Sequence, residues 1–572
     1  MLVGPDGRGY RISAPVERWA FYCGDIVSFF SLQKTNGSML YSLLAVSLVS
    51  IFVVFVTSKL RSRNRPPLPP GPKGLPLIGH LRAIASDKHK YWYQIGQEYG
   101  PLASVKVGHL TFIIINSHDV AHDLIVKRFA NYSGRARTPF IEILDESKDW
   151  TSKFILTRQY GPEYRLHRRM LESGMTAAYA TRFHGLMELE TCQLLNDLLE
   201  DKDSRTNGMN SVLLFKHIER VQTSFVIGGT YGFRTPHRLD PNLTTIIKSS
   251  HDSNDIAVSQ TLLNFFPSLK YLPKSLSPYY KAAAKVREYT SPWVHGHLIT
   301  ALERPGWNLA KQSYAIGMKE GSTPREVEVN LETNVYGGIE TSPRELMWVV
   351  VAAITQRDVV RKVQAQLDEV VGPNRLPNFV DRPKLTYVDA FLREVMRWRP
   401  IMADSIPHRV EKDDVYNGFL IPANALIMPN AWGINRDTKY FGDDVEEFIP
   451  ERWFTNRDVK KGTLRNDLPT PVFGYGRRTC AGKRIAEDGM YMQMARLLWA
   501  FDFQEVDGEP VDPTADLRHT FTVPPAPFKV KFMPRRKTVR EVVTKEWRAC
   551  ETDVPKLLGE MDNHFFDMKT VD

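Results

Sequence analysis

Residues 473–482, the most informative stretch of the chain, read Phe473-Gly474-Tyr475-Gly476-Arg477-Arg478-Thr479-Cys480-Ala481-Gly482. It places one cysteine among glycines, aromatic rings and two arginines, directly before an apolar helical pattern. Nearby cations and free backbone N–H groups stabilise a thiolate, so this cysteine can bind a soft or borderline metal. A zinc site would need about four ligands, and usually a second Cys or His about two to four residues away.

A lone thiolate is sufficient where a macrocycle fills the other positions of the metal, as in thiolate-ligated heme. The other interpretation is a buried structural cysteine in a glycine-rich turn, because free Cys is among the most buried residue types. The stretch matches Phe-x-x-Gly-x-Arg-x-Cys-x-Gly and resembles the heme-binding loop of the cytochrome P450 family at every fixed position. The resemblance implies heme b as cofactor, with Cys480 as axial iron ligand, Arg478 paired with a heme propionate and Phe473 shielding the sulfur.

The same resemblance assigns further residues to the cofactor. Gly476 permits a tight turn, and Gly482 permits close approach of the backbone beneath the ring. Tyr164 and Arg168 lie in a segment similar to the family helix that carries Trp-x-x-x-Arg, and a phenol can still donate a hydrogen bond to a propionate. His408 is another candidate donor. A basic surface helix and an ordinary loop histidine are the alternative interpretations of these two segments.

Helix-weakening residues cluster in the segment Gly337-Gly338-Ile339-Glu340-Thr341-Ser342-Pro343. Each glycine costs about 1 kcal/mol against alanine in a helix interior, and the proline removes a backbone hydrogen bond. The apolar pattern resumes after the proline, which predicts a bent, widened turn inside one long helix. The resemblance identifies this turn as the oxygen-activating site, with Thr341 as the hydroxyl donor and Glu340 as the acid that supplies protons. A kinked core helix without a catalytic role is the alternative.

Glu394 and Arg397 lie three residues apart on one face of a predicted helix. Taken alone, such a pair is typical of a solvated surface. Its place before the cysteine loop resembles the Glu-x-x-Arg helix of the family, which an arginine from a later segment joins. Here that arginine is Arg452, in the segment Pro450-Glu451-Arg452-Trp453. The resemblance implies a structural role for all three residues, which is to fix the core that holds the heme loop.

The N-terminal part carries the pattern of a membrane anchor. Residues 39–56 contain no charged side chain and are just long enough to cross roughly 30 Å of hydrocarbon, with a buried core helix as the alternative. Basic residues follow at once, which favours a cytosolic location for the rest of the chain. A proline-rich run comes next and favours a stiff, extended spacer. We therefore predict single-pass anchoring in the endoplasmic reticulum membrane, with the catalytic domain facing the cytosol.

These features divide the chain into five predicted parts. They are an N-terminal extension without an assigned role (1–38), a transmembrane anchor (39–56), a basic and Pro-rich hinge (57–74), a heme-thiolate catalytic domain (75–537) and a C-terminal extension (538–572). Alternation of apolar and polar residues within residues 100–117 predicts a pair of strands. Helical patterns dominate the sequence after this pair. The predicted fold class is mainly α with small peripheral β-sheets, a cytochrome P450 fold preceded by a single N-terminal transmembrane helix.

Composition and charge limit the classes of partner. The four cysteines are widely spaced, make no disulfide framework and fit a reducing compartment. A formal net charge of +10 favours anionic surfaces, such as a membrane. Because no nucleic-acid recognition motif accompanies the charge, we expect no nucleic-acid partner.

The resemblance implies a membrane-anchored monooxygenase that inserts one oxygen atom of O2 into a lipophilic, terpenoid or polyketide-like small molecule, in the style of fungal secondary metabolism. Electrons are expected from a separate NADPH-dependent cytochrome P450 reductase, with cytochrome b5 as a further candidate, docking near Arg477, Lys483 and Arg484. The alternatives are a desaturase, isomerase or dehydratase of the same fold, and a non-catalytic heme-binding membrane protein. The candidate pocket residues are Phe140, Ile141, Asn334, Tyr336, Met402 to Ser405, and Phe521-Thr522.

Overall fold

The structure is a computed structural model. It describes residue 49 and residues 65–76, 78–81, 88–148, 151–201, 204–259, 263–264, 266–517 and 522–561. Contacts divide the chain into two units, Met1–Pro67 with Asn417–Leu420, and Leu68–Tyr416 with Ile421–Asp572. The second, larger unit contains every predicted site residue.

Helices make up most of the described chain, as the sequence predicted. In chain order the α-helices are α1 (Lys88–Tyr99), α2 (His118–Ala121), α3 (Phe129–Tyr132), α4 (Pro139–Leu144), α5 (Pro162–Glu172), α6 (Ala177–Ala180), α7 (His184–Glu200), α8 (Ser211–Tyr231), α9 (Pro241–Ser259), α10 (Pro278–Glu303), α11 (Leu309–Lys319), α12 (Pro324–Thr355), α13 (Arg357–Val370), α14 (Thr386–Trp398), α15 (Ala431–Ile434), α16 (Thr438–Phe441), α17 (Lys483–Ala500), α18 (Val539–Ala549) and α19 (Val554–Leu558).

The strands are short and form small sheets. They are β1 (Leu102–Val107), β2 (Leu110–Ile115), β3 (Gly134–Arg135), β4 (Met209–Asn210), β5 (His408–Arg409), β6 (Asp414–Tyr416), β7 (Phe419–Ile421), β8 (Leu426–Pro429), β9 (Phe501–Gln504) and β10 (Lys529–Pro534). One sheet has the order β1-β2-β8-β5-β3, and another has the order β4-β10-β9.

The strand pair predicted within residues 100–117 is confirmed. Strands β1 and β2 are antiparallel, with Leu102 opposite Ile115 and Val107 opposite Leu110. The turn between them contains Gly108 at φ 58°, a conformation that glycine adopts at little cost. Alternate side chains of β1 are buried, which is the pattern expected for a strand with one face on the core.

Helix α12 runs through the main hydrophobic core and carries the predicted catalytic pair. It begins with a capping box in which Thr323 and Glu326 satisfy each other's backbone N–H groups. The predicted continuity of this helix is confirmed, but the widened turn predicted at residues 337–343 is wrong, because these residues stay α-helical. Packing of α12 against α8 and α17 explains the difference, since tertiary contacts override weak local propensity.

The three residues predicted to fix the core come together around one carboxylate. Glu394 is 0% exposed and accepts hydrogen bonds from Arg397 at 2.8 Å and from Arg452 at 3.0 Å. Trp453 Nε1 and the Ile449 backbone N–H also donate to it, at 3.0 and 2.8 Å. The alternative that Glu394 and Arg397 form a solvated surface pair is therefore excluded.

The predicted hinge is only partly described. Residues 57–64 lie outside the described residues, whereas the Ser104 backbone N–H and hydroxyl donate to the carbonyls of Pro70 and Pro69 at 2.9 and 2.6 Å. A Cβ on Gly71 would lie 1.9 Å from the Ser104 carbonyl oxygen, so only glycine permits this approach. The end of the proline-rich run thus packs on β1 as part of the larger unit.

The predicted anchor, residues 39–56, lies outside the described residues except for Val49, and the extension 1–38 lies outside them entirely. Among the helices that the structure describes, none combines the length and the apolar character needed to cross a bilayer.

Candidate active site

The cysteine loop is held by its own backbone. Two short 3₁₀ turns, Pro471–Phe473 and Gly476–Arg478, precede Cys480. The Cys480 N–H donates to the carbonyl of Phe473 at 2.8 Å and closes the loop. Gly476 has φ 60°, and a Cβ there would lie 2.6 Å from the Ile125 carbonyl oxygen. Glycine is therefore required at position 476, in agreement with the turn predicted there.

The Cys480 side chain is accessible and yet surrounded by protein. Burial raises the pKa of its thiol, whereas the Gly482 N–H and the charge of Arg168 lower that pKa. A side chain that is both accessible and desolvated faces a space inside the fold. A Cβ added at Gly482 would meet no other atom within 4 Å, which suits a flat ring lying against this loop.

Arg478 lies beside the loop with its charge buried. Its guanidinium donates to the carbonyl oxygens of Ser133, Ile155 and Arg158, at 3.0, 3.2 and 2.6 Å. The ring centroid of Tyr164 lies 3.8 Å from the guanidinium carbon. Burial is the main cause that lowers the pKa of Arg478.

Arg135 is a second buried arginine at the same place, and the sequence did not reveal it. Its Nη1 donates to the carbonyls of Ile406 and Pro407 at 2.9 and 2.8 Å, while its Nε is buried without a partner. Burial, with the charge of Arg478, lowers the pKa of Arg135 to about 9. Antiparallel pairing of β3 with β5 sets Arg135 opposite His408.

The buried positive charge at this site suits heme. Among the described residues, no carboxylate forms an ion pair with Arg135 or Arg478, although each is at most 8% exposed. Two buried guanidinium groups that repel each other require an anion, because isolated buried charges are costly. The two propionates of heme supply that charge, so the residues present fit the cofactor.

The other predicted cofactor residues occupy the same region with partners of their own. The Tyr164 hydroxyl donates to the Arg477 carbonyl at 2.9 Å. Arg168 pairs with Glu172 at 2.6 Å. His408 Nδ1 lies 2.7 Å from the Tyr132 carbonyl, and burial holds its pKa well below the usual value. Their roles toward propionates stay predictions.

Thr341 and Glu340 lie next to each other on α12 in different environments. The Thr341 hydroxyl donates to the Gly337 carbonyl at 3.1 Å. Gly337 is accessible within a helix that is otherwise largely buried, and a Cβ added there would meet no atom within 4 Å. Glu340 is buried, 7% exposed. One face of the helix therefore offers a hydroxyl, and another holds a carboxyl group.

Glu340 is surrounded by polar groups from other helices. The Ser250 hydroxyl donates to its Oε1 at 2.7 Å, and the His251 Nε2 lies 4.0 Å from the same oxygen. The Arg344 Nη2 lies 3.9 Å from Oε2. His251 also faces Glu219 at 3.4 Å, and that carboxylate is the main cause that raises the pKa of His251. Sequence reasoning missed this group, which joins residues far apart in the chain.

Several of the predicted pocket residues have partners of their own within the protein. Phe140 is buried in a cluster with residues of α4 and α10. Asn334 donates to the Thr230 hydroxyl at 3.1 Å, and Tyr336 shares a hydrogen bond of 2.5 Å with Ser249. Thr522 accepts a hydrogen bond from Arg344 at 2.6 Å, whereas Phe521 lies outside the described residues.

A mainly helical fold, a single cysteine in a glycine-rich loop and a buried cationic group define a heme-thiolate protein. The model of the cytochrome P450 family matches residues 69–532, and the chain belongs to that family. It is therefore an oxidoreductase whose cofactor is thiolate-ligated heme, and the two fungal relatives named below are monooxygenases.

Two curated fungal proteins illustrate the similarity. The cytochrome P450 monooxygenase aneD of Aspergillus aculeatus is 32% identical over 534 residues, covering 91% of this chain and 97% of that protein. The monooxygenase FrzL of Cladobotryum sp. is 32% identical over 522 residues, covering 88% of this chain and 94% of that protein. A zebrafish cytochrome P450 structure with progesterone shares 22% identity and a TM-score of 0.65, covering 78% of this chain and 99% of that one, and shows the fold.

Proposed function

We propose that the protein is a membrane-anchored monooxygenase that inserts one oxygen atom of O2 into a lipophilic, terpenoid or polyketide-like molecule of fungal secondary metabolism. The observation that carries the proposal is the pair of Thr341, beside the accessible face of α12, and the buried Glu340. The similarity to fungal monooxygenases supports it. A carbon monoxide difference spectrum, followed by oxygen uptake with a reductase and product analysis, tests the proposal.

Heme supplies the oxygen chemistry when it is bound. Cys480 would supply the thiolate ligand, and Arg478 and Arg135 would hold the propionates. The Thr341 hydroxyl donates its proton in a hydrogen bond to the Gly337 carbonyl in this structure. A rotation of χ1 would turn the hydroxyl toward the accessible face of α12. In this proposal Glu340 supplies the proton that replaces the Thr341 proton, and His251 connects Glu340 with solvent, because its Nε2 lies 4.0 Å from Glu340 Oε1 and its side chain is 37% exposed.

Electrons come, in this proposal, from an NADPH-dependent reductase, with cytochrome b5 as a further donor. Arg477 and Arg484 are exposed beside the cysteine loop, and Lys483 is partly exposed. Lys483 and Arg484 face Glu487 and Asp488 at 3.8 and 3.1 Å, so part of this charge is balanced within the protein. An acidic partner surface would have to compete with these two pairs.

Thr341→Ala is expected to uncouple the enzyme while leaving substrate binding nearly intact. The hydroxyl is the group proposed to deliver the proton, and general acid assistance contributes about 10²–10⁴-fold to a rate. Product per NADPH consumed should therefore fall, and hydrogen peroxide release should rise. Thr341→Ser keeps the hydroxyl and is the matched control. Unchanged coupling in the alanine variant would contradict the assigned role, and an isomerase that never reduces oxygen would show no shift.

Deleting residues 1–58 is expected to convert firm anchoring into weak association with membranes. The deletion removes the uncharged run and leaves the larger unit, which begins at Leu68, intact. Membranes from the expressing cells are washed with high salt and then with detergent. The full chain should be released only by detergent, whereas high salt should release the truncated chain. A truncated chain that still needs detergent would show that the anchor lies elsewhere.

A further inference from the structure

Helix α12 carries a buried carboxyl group one turn beyond Thr341. Glu345 follows Thr341 at helical i, i+4 spacing, so the two side chains lie on one face of the helix, about 6 Å apart along its axis. Glu345 is 1% exposed, and its Oε2 accepts a hydrogen bond from the Ile401 N–H at 2.9 Å. Within the part of the chain that the structure describes, its Oε1 is buried without a hydrogen-bond partner. The face of α12 that carries the proposed proton donor therefore also binds the segment that follows α14.

The Glu345 side chain is held as a neutral acid. Burial raises its pKa to about 8, although the hydrogen bond from the Ile401 N–H acts in the opposite direction. A buried charge is costly, whereas a neutral carboxyl group still accepts a hydrogen bond through its carbonyl oxygen. A glutamine amide offers the same acceptor in nearly the same shape. The contact with Ile401 therefore depends on the acceptor oxygen and does not need a charge.

The segment 401–407, which we call the α14–β5 loop, is attached to α12 at its first residue in two ways. Glu345 binds the N–H of Ile401 directly. The Ile401 carbonyl accepts a hydrogen bond from the Val523 N–H at 2.9 Å, and the Val523 carbonyl accepts one from the Trp348 indole N–H at 2.8 Å. Of these two attachments, only the Glu345 contact joins α12 to the loop without an intermediate segment.

The far end of the α14–β5 loop is attached at the buried cationic group. The carbonyls of Ile406 and Pro407 accept hydrogen bonds from Arg135 at 2.9 and 2.8 Å. Between the two ends, Ser405 has φ 56°, a left-handed conformation that is costly for a residue with a Cβ and persists where surrounding contacts over-determine the backbone. The loop therefore runs in a fixed, strained shape from the Thr341 face of α12 to the arginine that fits a propionate.

We propose that Glu345 is a positioning residue that fixes the α14–β5 loop as a rigid wall of the substrate pocket and so selects ligands by shape. This inference deepens the proposed function and rests on it for the identity of the ligand, which would be the substrate of the proposed monooxygenase. Without the acceptor, the buried Ile401 N–H has to find another partner or open to water. The near end of the loop then moves while Arg135 still holds the far end.

Amide hydrogen exchange of the full-length, heme-loaded protein tests the contact. Glu345→Leu removes the acceptor at similar volume, so peptides that cover residues 401–405 should exchange about tenfold faster or more. Glu345→Gln should exchange as the natural chain does. Glu332→Leu is the matched control, because it also removes a buried carboxyl group from α12, and it should leave residues 401–405 unchanged. Unchanged exchange in Glu345→Leu, or equal acceleration in Glu345→Gln, would overturn the proposal.

Two isomeric ligands test whether the wall selects by shape. N-phenylimidazole and 4-phenylimidazole have the same apolar surface and each offers a nitrogen to the heme iron, but they direct the phenyl ring differently. Spectral titration gives the two dissociation constants. They should differ in the natural chain and in Glu345→Gln, and Glu345→Leu should bring them closer together by about threefold or more.

Other outcomes of the titration count against the proposal. Equal weakening of both isomers in Glu345→Leu would show structural damage alone, and equal binding of both by the natural chain would show that no rigid wall exists. Glu345→Ala removes the acceptor without adding bulk, should behave as Glu345→Leu does, and takes its place if the leucine variant does not retain heme. Retained discrimination in this variant would likewise overturn the proposal.

These measurements need no turnover, so they separate the inference from the proposed function. A protein that shows the expected exchange and ligand discrimination but consumes no oxygen would contradict the monooxygenase activity and leave the role of Glu345 in shaping the pocket standing. An active monooxygenase whose Glu345→Leu variant keeps both exchange and discrimination would overturn the role of Glu345 alone.

Discussion

Cys480→Ser is expected to abolish the thiolate-specific absorbance of the reduced protein with carbon monoxide. A serine hydroxyl stays protonated at neutral pH and cannot supply the anionic ligand that tunes the iron. The measurement is the reduced carbon monoxide difference spectrum of the purified variant. Because the loop is closed by the Cys480 backbone N–H and not by its side chain, the variant should keep the loop geometry.

Cys550→Ser is the matched control, because it also removes one thiol but lies outside the glycine-rich loop. It should retain the thiolate spectrum in full. A Cys480→Ser protein that kept this absorbance would show that another residue binds the iron. That result would remove the basis of the proposed chemistry while leaving the fold assignment standing.

Glu394→Ala is expected to destabilise the fold by about 3–5 kcal/mol, the usual cost of breaking a buried ion pair. The substitution leaves Arg397 without its anion and leaves Arg452 with Asp444 as its remaining carboxylate, in a site that is closed to water. These arginines also donate to carbonyls of the segment 435–447, so that segment should loosen. Urea unfolding and the fraction of chains that retain heme measure the two effects.

Asp358→Ala is the control for this prediction. Asp358 pairs with Arg361 at the same three-residue spacing, but the two side chains are 84% and 72% exposed. Exposed pairs contribute about 0–1 kcal/mol, so this change should be nearly silent. If the two variants unfolded at the same urea concentration, the Glu394 group would not hold the core together.

The features that the sequence predicted well are encoded locally. The cysteine loop needs glycine at position 476 because its φ is 60°, and this requirement is set within the loop itself. The β1–β2 hairpin follows in the same way from alternation and from Gly108. The Glu394 group needed the family resemblance as well, because the pair alone is indistinguishable from a surface pair.

The features that the sequence did not predict depend on contacts between distant segments. Arg135 reaches the cationic group only because β3 pairs with β5, and a single arginine in a short strand carries no recognisable pattern. His251 meets Glu340 and Glu219 only after α9 has packed near α12 and α8. The widened turn failed for the same reason, since helical propensity counts less than packing in a buried segment.

The sheet β4-β10-β9 has a consequence for how the chain acquires its structure during synthesis. Strand β10 pairs Val530 with Met209, more than three hundred residues earlier in the chain. At about 5–20 residues per second on the ribosome, β4 therefore waits tens of seconds for its partner. During that interval the edge of β4 has no ladder partner, and pairings over such long separations form slowly. Early release of the chain, before β10 has emerged, should therefore favour capture by chaperones over productive folding.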